Sequence, residues 1–349
     1  MRAGGLARLK AVAHRMALRA EGLADGLLAR LRPRGAAARP VLDAYRGYAT
    51  PRGLVLRGRV LSALRRTAPD PTHGRWRNLR EMAGLFLTDE VAGIAVVAPE
   101  TGARSVSDEE GYVLIEVPEA AELPPGWHRV AVEIEGDPST RRAFPVRKAR
   151  PDARLGVVSD IDDTMMETGA YSLLRNLWTT FTGSALTRRI FPDAIVLMDH
   201  LSAHGRNPVF YVSSSPWNLH AFLDRVFARA GLVAGPMFLR DYGLGEGQFV
   251  TGTHGDHKGD AIDRVMAAHP ALRFVLVGDT GQHDATVYLE AAHRHPGRVA
   301  AVVLREPGPG PGDESRRAIA ALRALGVPVI HGTDFAAAPE ALSAAGVAP

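Results

Sequence analysis

Four apolar runs of strand length recur in the second half of the chain: RLGVVSD (154–160), NPVFYVS (207–213), RFVLVGD (273–279) and RVAAVVL (298–304). Between them lie stretches with helical spacing of apolar residues, among them WNLHAFLDRVFARAG (217–231) and HKGDAIDRVMAAH (257–269). Runs this apolar leave no polar face for water, so they predict a parallel sheet covered by helices on both sides. In sheets of that kind, ligands gather beyond the carboxyl ends of the strands.

The pattern before residue 150 has a different period. LVLRGRVL (54–61) and YVLIEV (112–117) alternate apolar with polar, IAVVA (94–98) is a short apolar run, and HRVAVEI (128–134) and FPVRK (144–148) follow. Pro99 with Gly102, DEEG (108–111), PPG (124–126) and GDPS (136–139) separate them as turn signals. Short strands at this spacing predict a β-rich, sandwich-like domain over 41–150. The stretch NLREMAGLFLTDE (78–90) fits a helix or a strand equally. No nucleophile or ligand cluster stands out in this domain, which reads as an accessory packing or binding module.

At the N-terminus, Leu6, Leu9, Met16, Leu23 and Leu27, with Ala13 and Ala20 between, form one helical stripe that Pro33 and Gly35 end. Arg8, Lys10, Arg15, Arg19 and Arg30 lie off that stripe. Residues 1–40 are therefore expected to be a basic amphipathic helix and linker, packed on protein or lying on anionic lipid. Without aromatic residues among the charges, nucleic acid is not an expected partner.

Composition narrows the setting. A chain of 349 residues, 46% apolar and 23% charged, can bury sizeable cores. It has no cysteine, which excludes disulfides, thiolate metal sites and cysteine nucleophiles. The net charge of +4 belongs to the tail, because residues 1–40 hold nine Arg and Lys against Glu21 and Asp25. No run approaches the ~18 apolar residues of a membrane span, and charges interrupt any secretory apolar segment. The expectation is a cytoplasmic protein, soluble or peripheral to a membrane.

Chemistry-bearing residues cluster at the predicted strand ends. Asp160 and Asp162 follow LGVVS, Ser213 follows VFYV, Lys258 follows a Gly-containing loop, and Asp279 with Asp284 follow FVLVG. Two carboxylates can divide the work of phosphoryl transfer: Asp160 attacks phosphorus to give an acyl phosphate, and Asp162 serves as general acid and base. Ser213 with the Ser214 N–H, and Lys258, suit phosphate oxygens. Thr164 holds the turn after the nucleophile. Crowded carboxylates favour a hard cation, and Mg2+ is expected on Asp160, Asp162 and Asp279, with Asp284 supporting it through water or a hydrogen bond. His254, His257 and His283 sit in motif loops within reach of a substrate. Trp217 is expected to pack against the motif loop.

Around these residues the chain resembles the haloacid dehalogenase superfamily, and more closely its actin-patch type of phosphatidate phosphatase, in a bacterial form. SDIDDTMMETG (159–169), YVSSSPWNL (211–219), FLRDYGL (238–244), THGDHKGDAI (253–262) and FVLVGDTGQHDATVY (274–288) carry the resemblance. It implies a Rossmannoid parallel sheet with a small cap over 151–349, Mg2+, an aspartyl-phosphate route, and hydrolysis of phosphatidate to diacylglycerol and phosphate. By the same resemblance Arg240 and Asp241 contact the headgroup. Ala285-Thr286 stands where the family usually has Pro-Glu. Only about fifty residues separate Asp160 from Ser213, room for a small helical flap. Soluble phosphate esters or phosphoproteins are the alternative substrates, and a lipid- or partner-binding module with vestigial activity is the alternative of another class.

Overall fold

The computed structural model describes residues 39–62, 90–118, 123–167, 190–240, 254–308 and 310–349. The expected N-terminal helix, the ambiguous stretch before Glu90, most of the expected flap at 168–189, and Asp241 lie outside these residues. Residues 40–349 form one compact mixed α/β unit built on two sheets.

The first sheet contains β1 (Val41–Thr50), β2 (Gly53–Leu61), β3 (Ala95–Ala98), β4 (Ala103–Val106), β5 (Tyr112–Pro118), β6 (Gly126–Ile134) and β7 (Asp137–Lys148). Its order is β4-β3-β6-β7-β1-β2-β5. All neighbours are antiparallel except β1 and β7. The strands join one continuous sheet in place of two facing ones, because the parallel β1–β7 pairing links what would otherwise be two separate sets of strands. The edge strands β4 and β5 approach each other, and the curled sheet encloses Leu56, Val60, Ile115, Val132, Phe144 and their neighbours.

The second sheet contains β8 (Leu155–Ser159), β9 (Val209–Pro216), β10 (Met237–Arg240), β11 (Arg273–Asp279), β12 (Val299–Arg305) and β13 (Val329–Gly332). All pairings are parallel, in the order β10-β9-β8-β11-β12-β13. The four apolar runs are the four central strands. The short edge strands β10 and β13 were not apparent in the pattern, since four residues give too little periodicity to read.

Helices cover both faces: α1 (Pro192–Ser202), α2 (His220–Ala230), α3 (His254–Ala268), α4 (Asp284–Arg294), α5 (Asp313–Ala324) and α6 (Ala338–Ala344). Alternate strand residues serve opposite layers. Val157, Tyr211 and Val277 pack with α1, α2 and α6, whereas Val158, Phe210, Leu276 and Val302 pack with α3, α4 and α5. Part of the stretch expected to form a flap is thus α1, a sheet-covering helix with Leu197, Met198 and Leu201 buried. Helix α2 ends at Gly231, whose φ of 74° supplies the left-handed cap that its sequence foretells. His254 and His257 lie on α3 and not in a loop, and Lys258 follows them on the same helix.

The strand order reverses between β8 and β11. From β8 the chain steps outward to β9 and β10, then returns across β8 to begin β11 on its other side. The connections leave the sheet in opposite directions there, opening a crevice beyond the carboxyl ends of these two strands.

Candidate active site

Asp160 occupies that crevice. Its N–H donates to the Val277 carbonyl at 2.8 Å, extending the β8–β11 ladder one residue, and it is 1% exposed. One carboxylate oxygen accepts from Lys258 Nζ at 2.7 Å and the other from Thr164 Oγ1 at 3.0 Å. The chain then turns tightly: Met165 N–H bonds the Ile161 carbonyl and Asp163 N–H bonds the Met166 carbonyl. Ile161, Met165 and Met166 anchor the turn in the core, and Asp163 adopts a left-handed φ of 55°. Arg305, buried between Phe191 and Phe335, donates from Nε to the Thr164 carbonyl at 3.2 Å.

The turn brings Asp162 under the end of β9. Ser213 Oγ and Ser215 Oγ both donate to Asp162 Oδ2 at 2.7 Å, and Ser215 N–H donates to Ser213 Oγ at 2.8 Å. Ser215 was missed in the sequence, although period two puts it on the same strand face as Ser213 and Ser214 on the other. Gln282 Nε2 donates to the Asp162 carbonyl at 3.2 Å, a contact that no sequence spacing signals.

From β11, Asp279 accepts the N–H groups of Gly281 and Gln282 on Oδ1, at 2.6 and 2.7 Å. Asp284 opens α4, accepting from Asp279 N–H at 3.1 Å and from Lys258 Nζ at 2.5 Å. Gly278 is required here: a Cβ on it would lie 2.5 Å from Asp284 Oδ2 and 2.8 Å from the Tyr288 hydroxyl. That hydroxyl donates to the Val277 carbonyl at 2.7 Å and fixes α4 against the strand.

Oxygens of Asp160, Asp279 and Asp284 converge within 4.8 Å of one another. Three buried carboxylates face one lysine, and Asp279 Oδ2 has no hydrogen-bond partner among the described residues. An orphaned buried acceptor within an acidic trio fits a hard, oxygen-seeking divalent cation. Asp162 lies outside the trio, turned toward the two serines.

Burial raises the proton affinity of Asp160, Asp162 and Asp279. Lys258 opposes this at Asp160, and Asp284 adds to it at Asp160 and Asp279. Lys258 is pulled in two directions, burial lowering its proton affinity while Asp160 and Asp284 raise it further, and the net shift is upward. The short Nζ–oxygen distances favour an ammonium between carboxylates. At Asp162 burial raises the proton affinity, and the Ser215 and Ser213 hydroxyls, donating to the carboxylate, partly offset it.

Arg240 ends β10 opposite Pro216, half-buried, and Ser214 is also half-buried. The His257 ring is held neutral by burial, with its pKa pushed down to about 4. His283 is exposed beside Glu314. Trp217 packs, though on Tyr45 of the first sheet, with which it is stacked. Ala285 is buried in the first turn of α4, and Thr286 Oγ1 donates to Glu314 at 3.2 Å, so the altered pair leaves the helix start intact.

Residues 155–306 match the family model described as the catalytic domain of phosphatidate phosphatase APP1. The chain is 26% identical over 174 residues to phosphatidate phosphatase APP1 of Saccharomyces cerevisiae, covering 50% of this chain and 29% of that protein. It is 27% identical over 156 residues to an uncharacterized protein of Schizosaccharomyces pombe, covering 44% of this chain and 25% of that one. The chain therefore spans less than a third of the length of these curated relatives. Among solved structures, a chain of the Pnkp1/Rnl/Hen1 complex aligns with a TM-score of 0.30 and 10% identity, over 47% of this chain and 54% of that one. A likeness that slight carries no argument.

Proposed function

We propose that the chain, whose residues 155–306 match the family model described as the catalytic domain of phosphatidate phosphatase APP1, is a phosphomonoester hydrolase acting on phosphatidate. We assign residues 151–349 to a haloacid-dehalogenase-like catalytic domain and 41–150 to an accessory β-rich domain. Supporting this reading is the division of surroundings between two aspartates: Asp160 faces Lys258 and Thr164 within the acidic trio, while Asp162 is held by two serine hydroxyls outside it.

Asp160 attacks phosphorus, forming the carboxyl–phosphoryl bond as the ester P–O bond breaks. Asp162 gives its proton to the departing alkoxide, which leaves as diacylglycerol. Asp162 then takes a proton from water as that water attacks the aspartyl phosphate, releasing phosphate and restoring Asp160. Lys258 counters charge on the phosphoryl oxygens, with Arg240 toward the headgroup. Ser213 holds Asp162 while Ser214 offers its N–H to phosphate. A divalent cation such as Mg2+, held by Asp160, Asp279 and Asp284, would neutralise charge on the phosphoryl group.

Purified protein assayed with phosphatidate in mixed micelles, beside a panel of soluble phosphate esters, tests the reading. Turnover of phosphatidate that falls to background in Asp160→Asn supports it. Turnover of soluble esters alone removes the lipid substrate, and turnover of neither overturns the enzyme. For a bilayer substrate, the stripe at residues 6–31 is the segment assigned to an anionic surface, each nearby charge contributing about 1 kcal/mol. Deleting residues 1–35 is then expected to weaken binding to anionic vesicles while soluble-ester turnover stays within about twofold. Unchanged vesicle binding would remove that assignment.

A further inference from the structure

The β-rich half of the unit grips the segment immediately after the site serines. Ser215 is followed by Pro216, whose φ of −67° is fixed by its ring, and then by a single 3-10 turn, Trp217–Leu219. Trp217 stacks on Tyr45 of β1 with ring centroids 5.0 Å apart and an interplanar angle of 21°. The Arg57 guanidinium of β2 lies 5.0 Å from the same ring, and its Nη1 donates to the Met237 carbonyl at 3.0 Å. Next along the chain, Asn218 Oδ1 accepts from Arg59 Nη1 at 3.2 Å.

Arg59 is itself immobilised. It is 3% exposed, lies over Tyr112, donates to the Glu110 carbonyl at 2.7 Å and pairs with Glu90 at 3.1 Å. An accessory domain attached only by its linker would need none of these contacts. Three of them, from Tyr45, Arg57 and Arg59, reach Trp217 and Asn218, two and three positions beyond Ser215.

We propose that Tyr45, Arg57 and Arg59 are positioning residues, forming a clamp on Trp217 and Asn218 that fixes the Ser213–Ser215 strand end and thereby the orientation of Asp162. A planar peptide and a proline leave little slack between Trp217 and Ser215, so movement of the indole is passed to the serine. Both serine hydroxyls meet one oxygen of Asp162. Displacing the strand end would turn that carboxyl away from the departing oxygen without touching Asp160, Lys258 or the acidic trio. The consequence for turnover rests on the phosphatase reading above, whereas the mechanical coupling does not.

Two measurements on the full chain test the clamp. The first is the ratio of turnover on an alkyl phosphate to turnover on an aryl phosphate with a good leaving group. Only the alkyl ester depends strongly on a proton from Asp162, so Tyr45→Leu and Arg59→Met should lower the ratio about tenfold, with Tyr45→Phe restoring it. In a Ser215→Ala background the same substitutions should add little to the loss. The second is amide hydrogen exchange at Ser215, which should quicken in Arg59→Met and Asn218→Ala.

Misfolding would lower turnover on both esters together and leave the ratio alone, which separates it from a positioning effect. An unchanged ratio and unchanged exchange in folded variants overturn the clamp, as does a Tyr45→Phe that behaves like Tyr45→Leu. If the wild-type chain hydrolyses neither ester, the phosphatase reading fails, and exchange at Ser215 still decides whether the clamp exists.

Discussion

Asp160 and Asp162 carry the same functional group two positions apart, and their neighbours separate their roles. One accepts from an ammonium and a hydroxyl, the other from two serine hydroxyls. Asp162→Asn is expected to retain the trio of Asp160, Asp279 and Asp284 but to lose proton transfer, slowing an alkyl phosphate by about 10²–10⁴ and an aryl phosphate far less. Equal losses on both esters, measured by steady-state kinetics, would leave Asp162 a scaffold. His220 offers a test of a different kind. Buried among Tyr45 and Trp217, its ring has a pKa lowered from 6.5 to about 3, first by burial and then by Arg57 and Arg46. The unfolded chain takes up this proton first, so the contribution is complete above pH 6.5 and is lost as pH falls from there toward 3. At about 1.4 kcal/mol per pH unit, His220→Phe should lose about 2 kcal/mol less than wild type between pH 7 and 5. Urea unfolding at the two pH values checks it, and parallel losses would show that His220 is not the group responsible.

Among the elements, the join between β11 and α4 is the most tightly constrained. Asp279 ends the strand, Asp284 begins the helix, and Tyr288 one turn on bonds back to the Val277 carbonyl. Gly278 lies beneath both, with no room for a methyl group. Gly278→Ala is expected to destabilise the fold by about 1–3 kcal/mol through overpacking and to displace Asp284 from Lys258. Thermal melting and turnover would both report it, and a variant with wild-type melting and activity would mean that the helix start yields without cost. Of the helices of the second sheet, α2 and α3 are readable from apolar spacing, whereas α1 falls in the stretch expected to form a flap. The tight link from Gly278 to Asp284 was visible only as a motif, because its rigidity comes from the Tyr288 hydroxyl bonding the Val277 carbonyl and the Asp284 carboxylate bonding the Asp279 N–H.

For the whole molecule, the change of period near residue 150 marks a change of sheet type and does not mark a loose joint. Tyr48 and Val55 of the first sheet pack with Phe210, Phe238 and α3 of the second. Arg147 donates to the Gly205 carbonyl at 2.6 Å, and Arg46 pairs with Asp224. A fragment of residues 154–349 is therefore expected to melt at a lower temperature than the full chain and to turn over soluble esters poorly, each large apolar side chain left uncovered costing about 1.5–3 kcal/mol. A fragment that matched the full chain in both would make the first sheet a dispensable appendage. By itself the sequence determined the four central strands, helices α2 and α3 between them and the aspartates, serine and lysine at their ends, because apolar period and residue chemistry are local properties. Only the tertiary structure decided that Ser215 shares Asp162 with Ser213, that Asp279 and Asp284 join Asp160 while Asp162 turns away, and that Arg57 and Arg59 reach the segment beyond the serines. Those outcomes depend on strand order and on which side chains meet across a long stretch of chain, and no periodicity along one strand encodes a partner on another.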